Sequence, residues 1–190
     1  MLEVEIKAAL GQLKKEQLQD AAERMGFTLA GSLQEIDIYF NGNDRNFMKT
    51  DEALRLRSCR DLNARSSETF ITYKGPKLDR ESSTRLEYET EVGDLSIMKN
   101  LLIALGYKEV FTVDKTRQEW KLSPAAERTE VTLCLDSVAG LGNYLELETL
   151  TESEEQRQAA VEGLLQLLDQ LGVSRDQLTR KSYLELLMQR

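Results

Sequence analysis

The sequence contains no histidine. That absence removes serine–histidine and cysteine–histidine catalysis and every imidazole-ligated metal site. Cysteine occurs only twice, at Cys59 and Cys134, too far apart for ligand-type spacing, so reduced thiols are expected. Proline also occurs only twice, and no apolar run approaches the ~18 residues of a membrane span. The opening Met1-Leu2-Glu3-Val4-Glu5 has no basic-then-apolar signal. A cytoplasmic protein without membrane partners is therefore expected. Basic residues are outnumbered by acidic ones, for a net charge of −8. This argues against a nucleic-acid surface, which needs an exposed basic footprint. It leaves a polyanion pocket open, because charges inside a cleft act locally. Any metal held by this chain would be a hard ion on carboxylate oxygen, Mg²⁺ or Mn²⁺.

What the chain does have is charge at two-residue spacing. Glu3-Val4-Glu5-Ile6-Lys7, Arg55-Leu56-Arg57, Thr72-Tyr73-Lys74 and Arg85-Leu86-Glu87-Tyr88-Glu89 show it. So do Lys115-Thr116-Arg117, Thr132-Leu133-Cys134-Leu135-Asp136 and Glu146-Leu147-Glu148. Side chains alternate across a strand, so each segment carries its charges on one face. One such segment alone reads as a half-buried strand with a solvated face. Repeated in segment after segment, the pattern points to a barrel whose interior holds both signs. Glu3, Glu5, Lys7, Arg55, Arg57, Lys74, Lys115, Arg117, Asp136, Glu146 and Glu148 are expected to face one central cavity. A polyphosphate with divalent ions suits such an interior. Cys134 shares the inward parity and reads as a small wall residue. Arg85, Glu87 and Glu89 read as tunnel-wall ion pairs or ligand contacts.

The 190 residues suit one domain spanning 1–190. Strands are expected over 2–8, 33–40, 53–60, 68–75, 84–92, 107–121, 129–137 and 143–150. In the second, Ile36, Ile38 and Phe40 mark the apolar face. Gly42 to Asp51 reads as a surface loop, and Lys77 to Ser83 as an exposed one. Helices are expected over 14–25, ended by Gly26, and near 95–105, ended by Gly106. A third carries the stripe Leu164, Leu165, Leu168 and Leu171, with Ser153 and Gln156 as a capping box. Ser174 with Gln177, then Lys181 to Met188, give short terminal helices. The fold class is α+β: a closed eight-stranded antiparallel barrel with helices outside. Val4, Ile6, Leu54, Leu56, Val131, Leu133, Leu135, Leu145 and Leu147 have outward parity and are expected beneath the helices. The strand at 113–120 fits less well: Thr116 and Gln118 point outward, as on a solvent-exposed or edge strand. Trp120 reads as a packing residue.

The opening E-x-E-x-K resembles the signature of the CYTH family, the triphosphate tunnel metalloenzymes. Further segments follow in the family's order: Asp37-Ile38-Tyr39-Phe40, Leu54-Arg55-Leu56-Arg57, Thr72-Tyr73-Lys74-Gly75-Pro76, Lys115-Thr116-Arg117, Leu135-Asp136-Ser137-Val138, Leu141-Gly142, Glu146-Leu147-Glu148 and Lys181-Ser182-Tyr183. The resemblance covers essentially the whole chain and is nearest the class IV adenylyl cyclase-like branch. It implies an eight-stranded tunnel with Glu3, Glu5, Asp136, Glu146 and Glu148 as metal carboxylates. Lys7, Arg55, Arg57, Lys74, Lys115, Arg117 and Lys181 would clamp the triphosphate. With no histidine, the base would be a lysine of lowered pKa, a carboxylate or metal-bound water; metal activation assisted by Lys7 or Lys115 is the expectation. The implied reaction is ATP to cyclic AMP and pyrophosphate. The alternatives are hydrolysis of tripolyphosphate or thiamine triphosphate on the same fold, or a non-catalytic polyphosphate-binding module. A homodimer is the one protein partner this reading allows for.

Overall fold

The computed structural model of the chain describes residues 2–64, 66–78, 82–122, 130–151 and 153–190. Among these, eight antiparallel strands close into a barrel: β1 (Leu2–Ala9), β2 (Thr28–Asn41), β3 (Ala53–Asp61), β4 (Ser67–Lys74), β5 (Arg85–Glu91), β6 (Lys108–Leu122), β7 (Val131–Val138) and β8 (Gly142–Thr151). The order around the barrel is β1-β5-β4-β3-β2-β6-β7-β8. Position 129 and residues 79–81, parts of an expected strand and loop, lie outside the described residues.

Helices α1 (Lys15–Arg24), α2 (Leu95–Ala104) and α3 (Glu154–Gln170) pack outside, and the short α4 (Tyr183–Met188) sits over one end of the barrel, its residues lining the interior. The alternation explains why. Val4, Ile6, Leu133, Leu135, Leu145 and Leu147 point outward and are buried with Leu18 and Ala22 of α1 and Leu164 and Leu168 of α3. A second apolar cluster puts Leu102 of α2 on Ile38, Phe40, Leu54 and Leu56. Gly26 and Gly106, with φ of +92° and +93°, follow α1 and α2 in the left-handed conformation that glycine adopts without strain. Ser153 sits at the N-cap of α3. A capping box starts α4, where Ser182 and Glu185 bond reciprocally. Among the described residues no helix is long and apolar enough to cross a membrane.

β6 is one continuous strand paired on both sides, so it is not an edge. Thr116 is nonetheless exposed on its outer face. Gln118 is half-buried and accepts a hydrogen bond from Gln19 of α1. The seam between β1 and β5 is short, with two pairs, Leu2↔Leu86 and Glu3↔Arg85. Beyond it, other segments satisfy the open backbone of β1. The Ser83 N–H donates to the Glu5 carbonyl at 2.9 Å and the Thr179 N–H to the Lys7 carbonyl at 2.8 Å. This brings the chain just before α4 to the tunnel wall.

Candidate active site in the barrel interior

The inward faces of the strands enclose a cavity of about 610 Å³. Glu3, Glu5 and Lys7 of β1, Arg55 and Arg57 of β3, Lys74 of β4, Lys115 and Arg117 of β6, and Glu146 and Glu148 of β8 all line it. Parity alone places them there, because each strand's even or odd set turns to one side. Arg85, Glu87 and Glu89 of β5 line it too. Glu87 lies 2.7 Å from Lys74 and 3.9 Å from Arg55, and Glu89 lies 3.6 Å from Arg55.

Two expected site residues stand elsewhere. Asp136 does not line the cavity; it is inward-facing but fully buried beneath the side chains that do. It accepts from Arg117 at 2.8 and 2.7 Å, from Lys115 at 3.2 Å and from the Tyr183 hydroxyl at 2.9 Å. Its oxygens are committed to these partners, which suits a positioning anion and not an open metal ligand. Lys181 is exposed and donates to Gln189 at 2.6 Å, away from the cavity. Its neighbour Arg180 lines the cavity instead, and its Nε donates to the Ser82 carbonyl at 2.9 Å. The segment before α4 has no strand period, so parity could not tell 180 from 181.

The sequence reading also missed Glu35 and Asp37 on β2, both buried. Arg57 forks onto Asp37 at 2.7 and 2.8 Å, and its third nitrogen lies 3.0 Å from Glu35. Lys115 lies 2.6 Å from the same Glu35 oxygen. The signal was present as Glu35-x-Asp37, on the strand face opposite Ile36, Ile38 and Phe40. Tyr183 was missed as well: its ring lies under Lys7, with Nζ 4.7 Å from the centroid.

Lys7, Arg55, Arg57, Lys74, Lys115 and Arg117 thus each have an internal counter-ion. Lys7 donates to Glu5 at 2.9 Å and lies 3.0 Å from Glu146; Lys74 donates to Glu3 at 3.2 Å. Arg117 also bonds Glu146. These pairings set the charge states. Burial works to lower the Lys7 pKa, but Glu146 and Glu5 outweigh it and hold the amine above the ordinary lysine range. With these partners in place the Lys7 amine is favoured in its charged form. Burial and a hydrogen bond with Glu3 push the Glu87 carboxyl up to about 7. Burial would raise Glu3 too, but Lys74 and the bonds with Glu87 and Lys74 bring it to about 2. Glu148 is pushed well above the carboxylate range by burial; Arg117 opposes this, while Glu3, Glu146 and Glu5 add to it. Burial also raises both thiols, Cys59 to about 11 and Cys134 well above the ordinary thiol range, so neither is a thiolate nucleophile.

Glu3, Glu5 and Glu148 present only oxygen donors, and burial, with Glu3, Glu146 and Glu5 nearby, disfavours the Glu148 charge, which a cation would offset. That chemistry fits a hard divalent ion. Among the described residues no three such side chains form a ready-made cluster. Lys7 and Lys74 hold Glu5 and Glu3, so an ion would compete with them.

The family model described as CYTH domain matches residues 1–183. A Methanocaldococcus jannaschii protein named as a candidate adenylate cyclase is 37% identical over 98% of both chains. The adenylate cyclase CyaB of Aeromonas hydrophila is 26% identical over 79% of this chain and 70% of its own. Among solved structures, the PH1819 protein of Pyrococcus horikoshii superposes with a TM-score of 0.85, at 40% identity, over 98% of both chains. Barrel, tunnel wall and these relatives agree: the chain belongs to the CYTH domain family.

Proposed function

We propose that this chain is a metal-dependent adenylyl cyclase of the class IV type, converting ATP to cyclic AMP and pyrophosphate. One observation carries the reading: a single cavity in which the cations of β3, β4 and β6 face the carboxylates of β1 and β8. The relatives named as adenylate cyclases support the choice of reaction. Phosphoryl and nucleotidyl transfers need positioning and charge neutralisation more than covalent help. Arg55, Arg57 and Arg117 offer forked donors to phosphate oxygens, and Lys7, Lys74 and Lys115 offer point charges. Each would exchange a carboxylate partner for a phosphate one, leaving Glu3, Glu5 and Glu148 to hold Mg²⁺ or Mn²⁺. When bound, that ion supplies charge neutralisation and activation of the attacking hydroxyl. Asp37 and Glu35 hold Arg57 at its angle, and Asp136 does so for Arg117. In the reaction the ribose 3′ oxygen bonds the α-phosphorus, the bond to pyrophosphate breaks, and the hydroxyl proton passes to a tunnel carboxylate or water.

The same cavity suits a second reaction, attack by water on the terminal phosphorus of tripolyphosphate or thiamine triphosphate. Product analysis separates the two. The protein is incubated with ATP, thiamine triphosphate and tripolyphosphate under Mg²⁺ and under Mn²⁺. Cyclic AMP and pyrophosphate in equal amounts, with no ADP, are expected. Orthophosphate, with tripolyphosphate consumed faster than ATP, would replace the cyclase with a triphosphatase. Absence of binding by all three would remove both.

A further inference from the structure

The tunnel has two mouths of different chemistry. At one, α4 and the segment around Asp51 and Glu52 crowd the opening. Its aromatic side chains are already engaged: Tyr183 is buried under Lys7, bonded to Asp136 and packed edge-on against Tyr144 at 5.1 Å. Towards the other mouth, the inward faces of β2, β3 and β4 carry Leu33, Cys59 and Phe70, with Glu68 one step beyond Phe70. Phe70 is half-buried and faces a charged cavity, where an aromatic ring has no core to fill. Among the described residues it makes no ring–ring or cation–ring contact. It pairs directly with Arg57 in the β3–β4 register. Opposite residues of an antiparallel pair stand about 5 Å apart at Cβ, so the two residues are neighbours on one wall, with the guanidinium turned to Asp37 and Glu35.

The rim around this ring is acidic. Glu68, Glu89 and Glu119 line the same cavity, with Glu148 one step in. Glu89 pairs with Thr72, beside Phe70 on the same face, and its side chain is 41% exposed. A multiply charged phosphate terminus is repelled by that rim and is drawn inward to the arginines. A neutral or cationic ring is not repelled, and its amino groups find acceptors there. A flat ring also stacks favourably on an aromatic face.

We infer that Phe70, with Cys59 diagonal to it and Leu33 farther round the same inner wall, is the specificity shelf for the ring system of an organic triphosphate, whose phosphates run inward from Arg57. The inference rests on the triphosphate reading above and deepens it: it assigns the ligand's organic end to this mouth. It also sets ATP or thiamine triphosphate apart from inorganic tripolyphosphate, which has nothing to place on the shelf.

Initial rates on ATP, or on thiamine triphosphate if that is the one turned over, give KM. Inorganic tripolyphosphate, added as competitor, gives an inhibition constant. In Phe70→Ala, KM should rise roughly 10- to 100-fold, the scale of one lost stacking contact. The tripolyphosphate constant should stay within about twofold, as nothing in its proposed contacts changes. Phe70→Trp should restore KM. Phe70→Leu keeps bulk without the flat face and should show the same selective loss, which covers the case where the alanine variant does not fold. Equal weakening of both ligands, an unmoved KM, or a selective loss in Met188→Ala at the opposite mouth would overturn the inference alone. No competition by either ligand in the unaltered protein would overturn the triphosphate reading and this inference together.

Discussion

The guanidinium of Arg117 forks onto Asp136, with Nε donating at 2.8 Å and Nη2 at 2.7 Å, and Asp136 has no exposed surface. Lys115 and Tyr183 complete its shell. A buried carboxylate so surrounded is an anchor for the cations that face the cavity.

Asp136→Asn should therefore act on stability and on cation geometry. Breaking one partner of a buried pair leaves the others uncompensated, at a cost of about 3–5 kcal/mol. Chemical denaturation should show that loss, while calorimetric Mg²⁺ affinity of the folded fraction should be unchanged. A selective loss of metal binding with full stability would return Asp136 to the ligand set.

Glu148 should behave in the opposite way. Its carboxyl is raised well above its ordinary 4.5, by burial first and then by Glu3, Glu146 and Glu5. A raised acid binds its proton more tightly in the folded than in the unfolded state. Its contribution is thus fully present below pH 4.5 and is lost as pH climbs through the folded value. Glu148→Gln should raise the Tm of the metal-free protein at neutral pH, with the gain shrinking towards pH 4.5. Activity should fall by more than ~100-fold, the scale seen when even outer partners of metal sites are removed. Full turnover with saturating Mg²⁺ would exclude Glu148 from the site.

The barrel was legible because period-2 charge repeats so often, and its outer face because Leu133, Leu135, Leu145 and Leu147 share one parity. Parity gives the side of the wall but not the depth along it. Asp136 has the inward parity of Glu146, yet it lies behind Arg117, a placement set by the register between β6 and β7. Glu35 and Asp37 escaped because β2 was read from its apolar face alone. Arg180 escaped because it follows a single 3-10 turn at Arg175–Gln177 and precedes a six-residue helix, where neither period applies.

Arg180 and Lys181 offer a direct comparison between adjacent cations. Arg180 lines the cavity and Lys181 is turned to Gln189. Arg180→Ala should weaken triphosphate binding by roughly 10- to 100-fold, the loss of one charge-assisted contact. Lys181→Ala should stay within about twofold. Calorimetry with ATP on both variants decides, and a larger loss at Lys181 would mean that the segment before α4 turns over when ligand binds.

Trp120 tests whether the outer core and the site are separable. It points away from the tunnel, is 4% exposed, and packs in the cluster with Phe27, Leu133 and Leu135. Its indole Nε1 is buried without a hydrogen-bond partner among the described residues. Leaving such a donor unpaired costs about 1–3 kcal/mol. Trp120→Phe removes that donor while giving up part of the packed area, two effects of opposite sign and similar size. Stability should change by less than ~1.5 kcal/mol, as in volume-tolerant core swaps. Trp120→Ala removes the packing outright and should cost about 3–5 kcal/mol. In neither folded variant should KM for the triphosphate move, because no atom of Trp120 reaches the cavity wall. A rise in KM for Trp120→Phe at unchanged Tm would place the indole at the ligand and refute the outward orientation of this face of β6.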